Sequence, residues 1–223
     1  MASSKIVLFD IPSKEPNHAW SLNTWKTRLV LNYKGLDYET EWLEYPEIKP
    51  RLEPHIPGKD QYTVPTVIMP DGTYIMDSKV IVGVLEEKYP SPPLPINWPH
   101  VQRYIEELKG VFENLRPIFM PAVRDRLLKD LNREYWNRTR SGHVGMDLDQ
   151  FVKEHSAEEA YKGAATYLKN TISYVDFTHA GFLLMFRQFG DDIFQPVLEG
   201  TGDPELHLKF LEALKPWTER DNY

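Results

Sequence analysis

Between Tyr89 and Pro99 the chain reads YPSPPLPINWP, with five prolines. Proline fixes φ and has no N–H to donate, so this stretch forms neither a helix nor a central strand. It divides the chain, and the two sides carry different patterns. Before it, short apolar runs alternate with helical periods. After it, from His100 onward, only helical patterns recur. The boundaries that follow are residues 1–88 for an α/β domain, 89–99 for a semi-rigid linker and 100–223 for an all-helical domain.

The first part reads in order as strand, helix, strand, partly helical connection, two strands and helix. Lys5–Asp10 (KIVLFD) is a short buried strand, and the loop after it holds Pro12, Pro16 and Asn17. Trp20–Lys34 has a broad apolar stripe at helical spacing, and Gly35 stops it. Tyr38–Tyr45 (YETEWLEY) alternates as a strand does. Residues 47–60 hold three prolines and a glycine, an irregular connection with some helix. Tyr62–Ser78 (YTVPTVIMPDGTYIMDS) is a hairpin running into a helix: Thr63–Met69 is one strand, Pro70-Asp71-Gly72 the turn, Thr73–Met76 the return. Asp77 and Ser78 then open a helix with Val80, Ile81, Val84 and Leu85 on its apolar face.

Pro65 stands out in that hairpin. By itself it reads as the start of an edge strand with an ordinary trans bond. The alternative is a cis Val64–Pro65 bond, which leaves the N–H and C=O of Val64 turned outward and unpaired. Those groups then receive the backbone of a bound peptide as an added strand does. Asp77-Ser78 offers helix N-terminal N–H groups and a hydroxyl for a carboxylate, and a negative charge for an amine. Together these make a seat for a small peptide with a free amino-acid end, and glutathione is such a molecule.

Val-Pro-Thr, a short hairpin, and an acidic residue plus serine opening a helix resemble the glutathione-binding half of glutathione transferases. The resemblance implies a thioredoxin-like N-terminal domain (βαβαββα) followed by an all-α C-terminal domain, and it spans the whole chain. It favours the cis form at Pro65. The segment SLNTWKTRLVLNYKG is similar to the family's opening helix, with Arg28, Leu29, Leu31, Lys34 and Gly35 in matching places. That puts the catalytic hydroxyl at Ser21, which read by itself is a helix N-cap. A thiol of pKa about 8.5 is mostly protonated at neutral pH. A hydroxyl donor at a helix N-terminus stabilises the thiolate. Asn23 is the competing donor and a supporting contact. Lys49 and His55 are the basic residues that the resemblance pairs with the glycine carboxylate of glutathione, and Gln61 is a weaker candidate. Val64, Pro65, Asp77 and Ser78 complete the glutathione site.

The run NTWKTRLVLNYKGLDY with EWLEYPEI looks like the etherase-related branch, rich in fungal members. Resemblance to that branch implies serine-type chemistry, homodimerisation and hydrophobic aromatic ligands such as lignin-derived phenolics. Leu22 departs from the pattern, since proline often follows the serine. The acceptor pocket is expected in the helical domain at Phe112, Phe119, Met120, Arg124 and Tyr174, an aromatic and thioether lining suited to planar ligands, although core packing explains the same residues. Ser173 and Asp176 form a capping box before a core helix over Val175–Phe189. The other helices are expected over Val101–Leu115, Met120–Arg140, Leu148–Thr171 and Glu205–Leu214. The alternative to catalysis is a ligandin-type carrier of aromatic compounds with glutathione bound.

Several classes are disfavoured. The chain has no cysteine, so any thiol comes with the substrate and disulfide reduction has no nucleophile. Net charge is −7, against nucleic acid as main partner. The seven histidines show no metal-ligand spacing. No apolar run approaches ~18 residues, so no membrane span is expected. The start MASSKIVLFD has no apolar core of a signal peptide, and a cytosolic location is the default expectation. Asn137-Arg138-Thr139 reads as a chance glycosylation triplet.

Overall fold

The computed structural model describes residues 5–96, 98–165 and 174–219, with His100, Glu107, Ala165 and residues 174–176 described in backbone only. The chain divides into two compact units. One comprises residues 5–95 with 214–219, and the other residues 96–213.

The first unit is built on β1 (Ile6–Asp10), whose five residues are all buried. A strand enclosed on both faces carries a continuous apolar run, and IVLF supplies it. β1 pairs in parallel with β2 (Tyr38–Trp42), in the register Ile6↔Tyr38 to Asp10↔Trp42. Parallel neighbours need a crossover, which is α1 (Leu22–Tyr33). On its other side β1 pairs antiparallel with β3 (Thr66–Ile68), and β3 with β4 (Tyr74–Met76), giving the order β2-β1-β3-β4. α3 (Ser78–Lys88) closes the unit, so the βαβαββα order is the thioredoxin-like arrangement expected. Leu8, Phe9, Leu29, Val30, Leu31, Leu52, Val67, Ile81 and Leu85 are fully enclosed. Each contributes roughly 1.5–3 kcal/mol of apolar burial before the entropy of ordering is subtracted.

The boundaries differ from the sequence reading for local reasons. β2 stops at Trp42 because Leu43 N–H donates to Asp10 C=O (2.8 Å) and Glu44 then begins a capping box with Glu47. The connection expected to be largely irregular therefore holds α2 (Tyr45–Leu52), with Pro46 in its first turn. β3 is shorter than Thr63–Met69, since Thr63 N–H turns to Met76 Sδ and Thr66 Oγ closes back onto Thr63 C=O (2.8 Å). The hairpin turn needs Gly72 at φ 84°, where a side chain is strained.

Two polar networks tie the unit together. Arg28 and Asp10, both fully enclosed, meet at 2.9 Å, and Arg28 also reaches Thr40 Oγ1 (3.1 Å) and Tyr38 Oη (3.3 Å). Burial works against the Arg28 charge, and Asp10 and Tyr38 more than offset it, holding its pKa above the usual range. Tyr38 Oη donates to Asn32 Oδ1, and Asn32 Nδ2 donates to the C=O of Trp217 (2.6 Å), so the short C-terminal helix α11 (Lys215–Thr218) seats against α1. The enclosed Lys34 ammonium donates to the C=O of Tyr89 (2.7 Å) and Pro92 (3.0 Å) and pairs with Glu86 (2.6 Å). That pins the proline-rich segment onto the first unit.

The second unit is helical: α4 (Trp98–Ala122), α5 (Asp130–Val144), α6 (Leu148–Glu154), α7 (Ala157–Ala165), α8 (Tyr174–Arg187), α9 (Asp191–Gly200) and α10 (Pro204–Ala213). α8 supplies the most enclosed side chains, Phe182, Leu183 and Phe186. α4 begins at Trp98, so the last proline of the linker sits in its first turn. It runs on through Pro117 and Pro121, where a break between Leu115 and Met120 was expected. The ladder loosens only afterwards, in a π-helical turn over Val123–Leu127 closed by Leu128 N–H on Val123 C=O (3.0 Å). The expected helix over Leu148–Thr171 is two helices as far as it is described, broken at His155, with Ser156 capping α7. α9 was not expected, because Pro196 interrupts its sequence pattern, although Ile193, Phe194, Val197 and Leu198 are buried at helical spacing. Residues 166–173, and with them Ser173, lie outside the described residues, as does the side chain of Asp176.

Candidate functional site

Ser21 is the N-cap of α1 with extended backbone (φ −71°, ψ 126°). An N-cap serine ordinarily accepts from the N–H groups of the first turn. Here the Ser21 side chain makes no such bond. Its C=O accepts from Trp25 N–H (2.9 Å) and Thr24 Oγ1 (3.0 Å), and the hydroxyl, half-buried, has no partner among the described residues. The group expected to hold a thiolate is thus present, at a helix N-terminus, and uncommitted. Asn23 is exposed in the first turn of the same helix.

The Val64–Pro65 peptide is cis. Val64 is buried, and neither its N–H nor its C=O is hydrogen-bonded within the described residues. The C=O of Pro65 accepts from Asp77 N–H (3.2 Å), which brings the hairpin and the start of α3 together. Asp77 has φ 85°, the one described residue other than glycine in the left-handed region. Such conformations cost about 1–3 kcal/mol and concentrate at functional sites. Its Oδ1 accepts from Lys79 N–H (2.7 Å) and Val80 N–H (3.3 Å), capping α3, and Ser78 is the first residue of that helix.

Lys49 and His55 are separated by their surroundings. Lys49 is exposed, with Glu53 3.7 Å away. His55 lies flat on Tyr74 of β4, ring centroids 4.3 Å apart and planes within 3°. Arg51, two residues along α2 from Lys49, is committed to the fold. It clasps Glu41 with two bonds (2.7 and 3.1 Å), donates to Tyr74 Oη and lies 4.7 Å over the Phe9 ring. The Glu41 hydrogen bonds hold its pKa above the usual range.

Lys26, on α1, received no role from the sequence. Its side chain is largely covered, and burial lowers its pKa to about 8, against the raising effect of Asp77. A lysine among apolar residues in an amphipathic helix gives no signal that its charge lacks a partner.

In the second unit, Phe112 packs edge-on against Phe119 (5.6 Å) and Phe182 (5.4 Å). Met120 is buried, and its C=O accepts from Trp136 Nε1 (3.0 Å). Arg124 is held by Asp125 (2.8 Å) and Asp149 (2.7 Å), whose hydrogen bonds raise its pKa. The Tyr174 side chain lies outside the described residues. Among the described residues no cluster of three or more His, Asp or Glu is arranged to hold a metal, and no helix is long and apolar enough to cross a membrane.

Residues 20–88 match the family model described as glutathione S-transferase, N-terminal domain. The chain is 28% identical over 233 residues to a glutathione S-transferase-like protein, ustS, of Aspergillus flavus, covering 96% of this chain and 75% of that protein. Its fold is similar to that of the glutathione transferase GSTFuA3 of Phanerochaete chrysosporium, with a TM-score of 0.82 at 26% identity over 96% of this chain and 97% of that one. It is also similar to a glutathione S-transferase of Ceriporiopsis subvermispora whose structure is in complex with glutathione, with a TM-score of 0.78, 26% identity and coverage of 96% and 97%. The chain thus carries a match to the glutathione S-transferase N-terminal domain over residues 20–88, and its whole fold is similar to that of solved glutathione transferases.

Proposed function

We propose that this chain is a serine-type glutathione transferase acting on hydrophobic aromatic acceptors. The observation that carries the reading is the Ser21 hydroxyl, which stands at the start of α1 and makes no cap bond. In this reading Ser21 Oγ–H donates to the glutathione sulfur. One charge-assisted hydrogen bond is worth ~1.5–3 kcal/mol, roughly one to two pKa units, enough to make thiolate the major form at neutral pH. The free N–H and C=O of Val64 take the cysteinyl backbone, Asp77 and Ser78 hold the γ-glutamyl end, and Lys49 or His55 meets the glycine carboxylate. Asn23 supports the sulfur or the peptide. The thiolate then attacks an electrophilic carbon, with aryl ether cleavage as one variant, and the sulfur gains the carbon as the phenolate leaves.

Support for glutathione as co-substrate comes from the family and from the Ceriporiopsis relative solved with it. The etherase-like resemblance supports phenolic acceptors walled by Phe112, Phe119, Met120, Arg124 and Tyr174, a homodimer, and a cytosolic location.

Steady-state kinetics with a generic aryl electrophile test the reading. Ser21→Ala lowers kcat/KM about ten- to hundred-fold while glutathione binding persists. An unchanged kcat/KM would remove Ser21 from the mechanism. Tight binding of phenolic ligands without turnover by the wild type would make the protein a carrier.

A further inference from the structure

Thr66 and Met76 stand directly opposite one another at the open end of the hairpin, the first residue of β3 against the last of β4. Opposed residues in a sheet share a face. Both side chains turn to the same residue, Thr63, which lies just outside the ladder. Thr66 Oγ1 donates to the C=O of Thr63 (2.8 Å), and Met76 Sδ accepts from its N–H (3.4 Å). Thr66 is fully enclosed, whereas Thr63 is exposed. Water satisfies the backbone groups of an exposed residue, so Thr63 needs neither bond for satisfaction. What the two bonds supply is orientation.

A trans peptide unit is a rigid plane in which the C=O and the N–H point in opposite directions. Thr63 C=O and Val64 N–H belong to one such unit, since the cis bond follows Val64 and does not precede it. Holding the Thr63 carbonyl therefore aims the Val64 N–H the other way. The Thr63 N–H lies in the unit before, which Met76 holds. On the far side, the Pro65 C=O is held by Asp77 N–H (3.2 Å). Anchors thus stand on both sides of Val64. The backbone polar groups of Thr63 and Pro65 are tied, and the N–H and C=O of Val64 between them make no hydrogen bond among the described residues.

We propose that Thr66 and Met76 are positioning residues for glutathione, holding the backbone before Val64 in the orientation that presents its N–H and C=O to the cysteinyl backbone. This rests on the glutathione reading above and adds to it the two side chains that preset that contact. Without the Thr66 hydroxyl the unit between Thr63 and Val64 turns freely. The apparent dissociation constant then rises by the inverse of the fraction of molecules in which that unit is correctly turned. A net hydrogen bond of this kind is worth roughly fivefold in such an equilibrium. The Met76 contribution is smaller, because a thioether sulfur is a weak acceptor. Both bonds are made to Thr63, so they act on the binding of glutathione, and once it is bound Ser21 meets the sulfur as before.

The test is calorimetric titration of the wild type, Thr66→Val, Thr66→Ser and Met76→Leu with S-methylglutathione, whose blocked sulfur keeps Ser21 chemistry out. Thermal unfolding and steady-state kinetics with glutathione accompany it. Thr66→Val keeps the side-chain shape and removes the hydroxyl, and it should bind about three- to tenfold more weakly. Its KM for glutathione should rise by the same factor while kcat at saturating glutathione is unchanged. Thr66→Ser keeps the hydroxyl and loses a buried methyl group, so it should bind as the wild type does although its Tm falls. Affinity that follows the hydroxyl and not the Tm separates positioning from stability. Met76→Leu keeps the bulk without the acceptor and should bind about two- to threefold more weakly. Wild-type affinity in Thr66→Val, or affinity in Thr66→Ser that falls along with its Tm, overturns the inference alone. Wild-type affinity in Met76→Leu overturns the part assigned to Met76. A wild type that does not bind S-methylglutathione overturns the glutathione reading and this inference with it.

Discussion

Asp10 and Arg28 illustrate how much one enclosed pair decides. The guanidinium joins β1, α1 and β2 through Asp10, Thr40 and Tyr38. Removing one partner leaves a buried charge uncompensated, so Asp10→Ala should destabilise the chain by about 3–5 kcal/mol in urea unfolding. A loss below about 1 kcal/mol would mean that solvent reaches the pair. The sequence marked Arg28 as part of a family-like helix and Asp10 as the end of a strand, but their pairing across 18 positions has no local signal. At Ser21 the reverse holds. Its position was legible from the helix start, and both a cap and a catalytic role were open. The missing cap bond is a fact of side-chain orientation that no sequence pattern states. Asp77 was legible as the opening of a helix, whereas its left-handed backbone was not, since aspartate gives no sign of φ 85°.

Elements were legible where periodicity and punctuation agree. β1, α1 and α3 have clean apolar patterns and lie close to where the sequence puts them. α4 does not stop where expected, because proline in a helix removes one bond each time and tertiary packing can outweigh it. The junction of α6 and α7 did have a signal, the capping-box sequence Ser156-Ala-Glu-Glu159, in which Glu159 N–H donates to Ser156 Oγ (3.2 Å) and the Ser156 hydroxyl donates to Glu159 Oε2 (2.8 Å). Ser156→Ala should therefore cost about 1 kcal/mol by denaturant unfolding. Gly163 records how closely α7 approaches α4. A Cβ there would overlap Asn114 Oδ1, whose amide donates to Gly110 C=O. Alanine in a helix is ordinarily better than glycine by roughly 0.5–1 kcal/mol. Gly163→Ala should nonetheless destabilise the wild type, and should stabilise by about that amount once Asn114→Ala has made room. The same sign in both backgrounds would contradict the close approach.

The whole molecule should show a pH profile set by two buried bases. In the second unit Tyr104 Oη, His179 and His207 form a hydrogen-bonded chain of 2.6 and 2.9 Å linking α4, α8 and α10. Burial, and then His207, lowers the His179 pKa to about 4. The unfolded chain, with a pKa near 6.5, binds the extra proton first, so this contribution is complete above about pH 6.5 and is lost as pH falls toward 4. Lys26 acts on the alkaline side. Its lowered value means that stability rises between pH 8 and about 10.4, where the unfolded chain still holds the proton. Urea midpoints across pH 4–10 should show both slopes, with the acid one reduced in His179→Gln and the alkaline one absent in Lys26→Met. The two-part layout was legible at this scale because the proline-rich stretch separates two kinds of pattern. That residues 214–219 group with the first unit was not, since Asn32 and Trp217 meet across 185 positions.

The central claim is that Ser21 holds the sulfur of glutathione as a thiolate. Its most direct test is an ultraviolet difference titration of the bound thiol in wild type and Ser21→Ala. The account predicts a thiol pKa lowered by about one to two units in the wild type and returned toward about 8.5–9 in the variant. Glutathione bound by both with the same, unshifted pKa would contradict it.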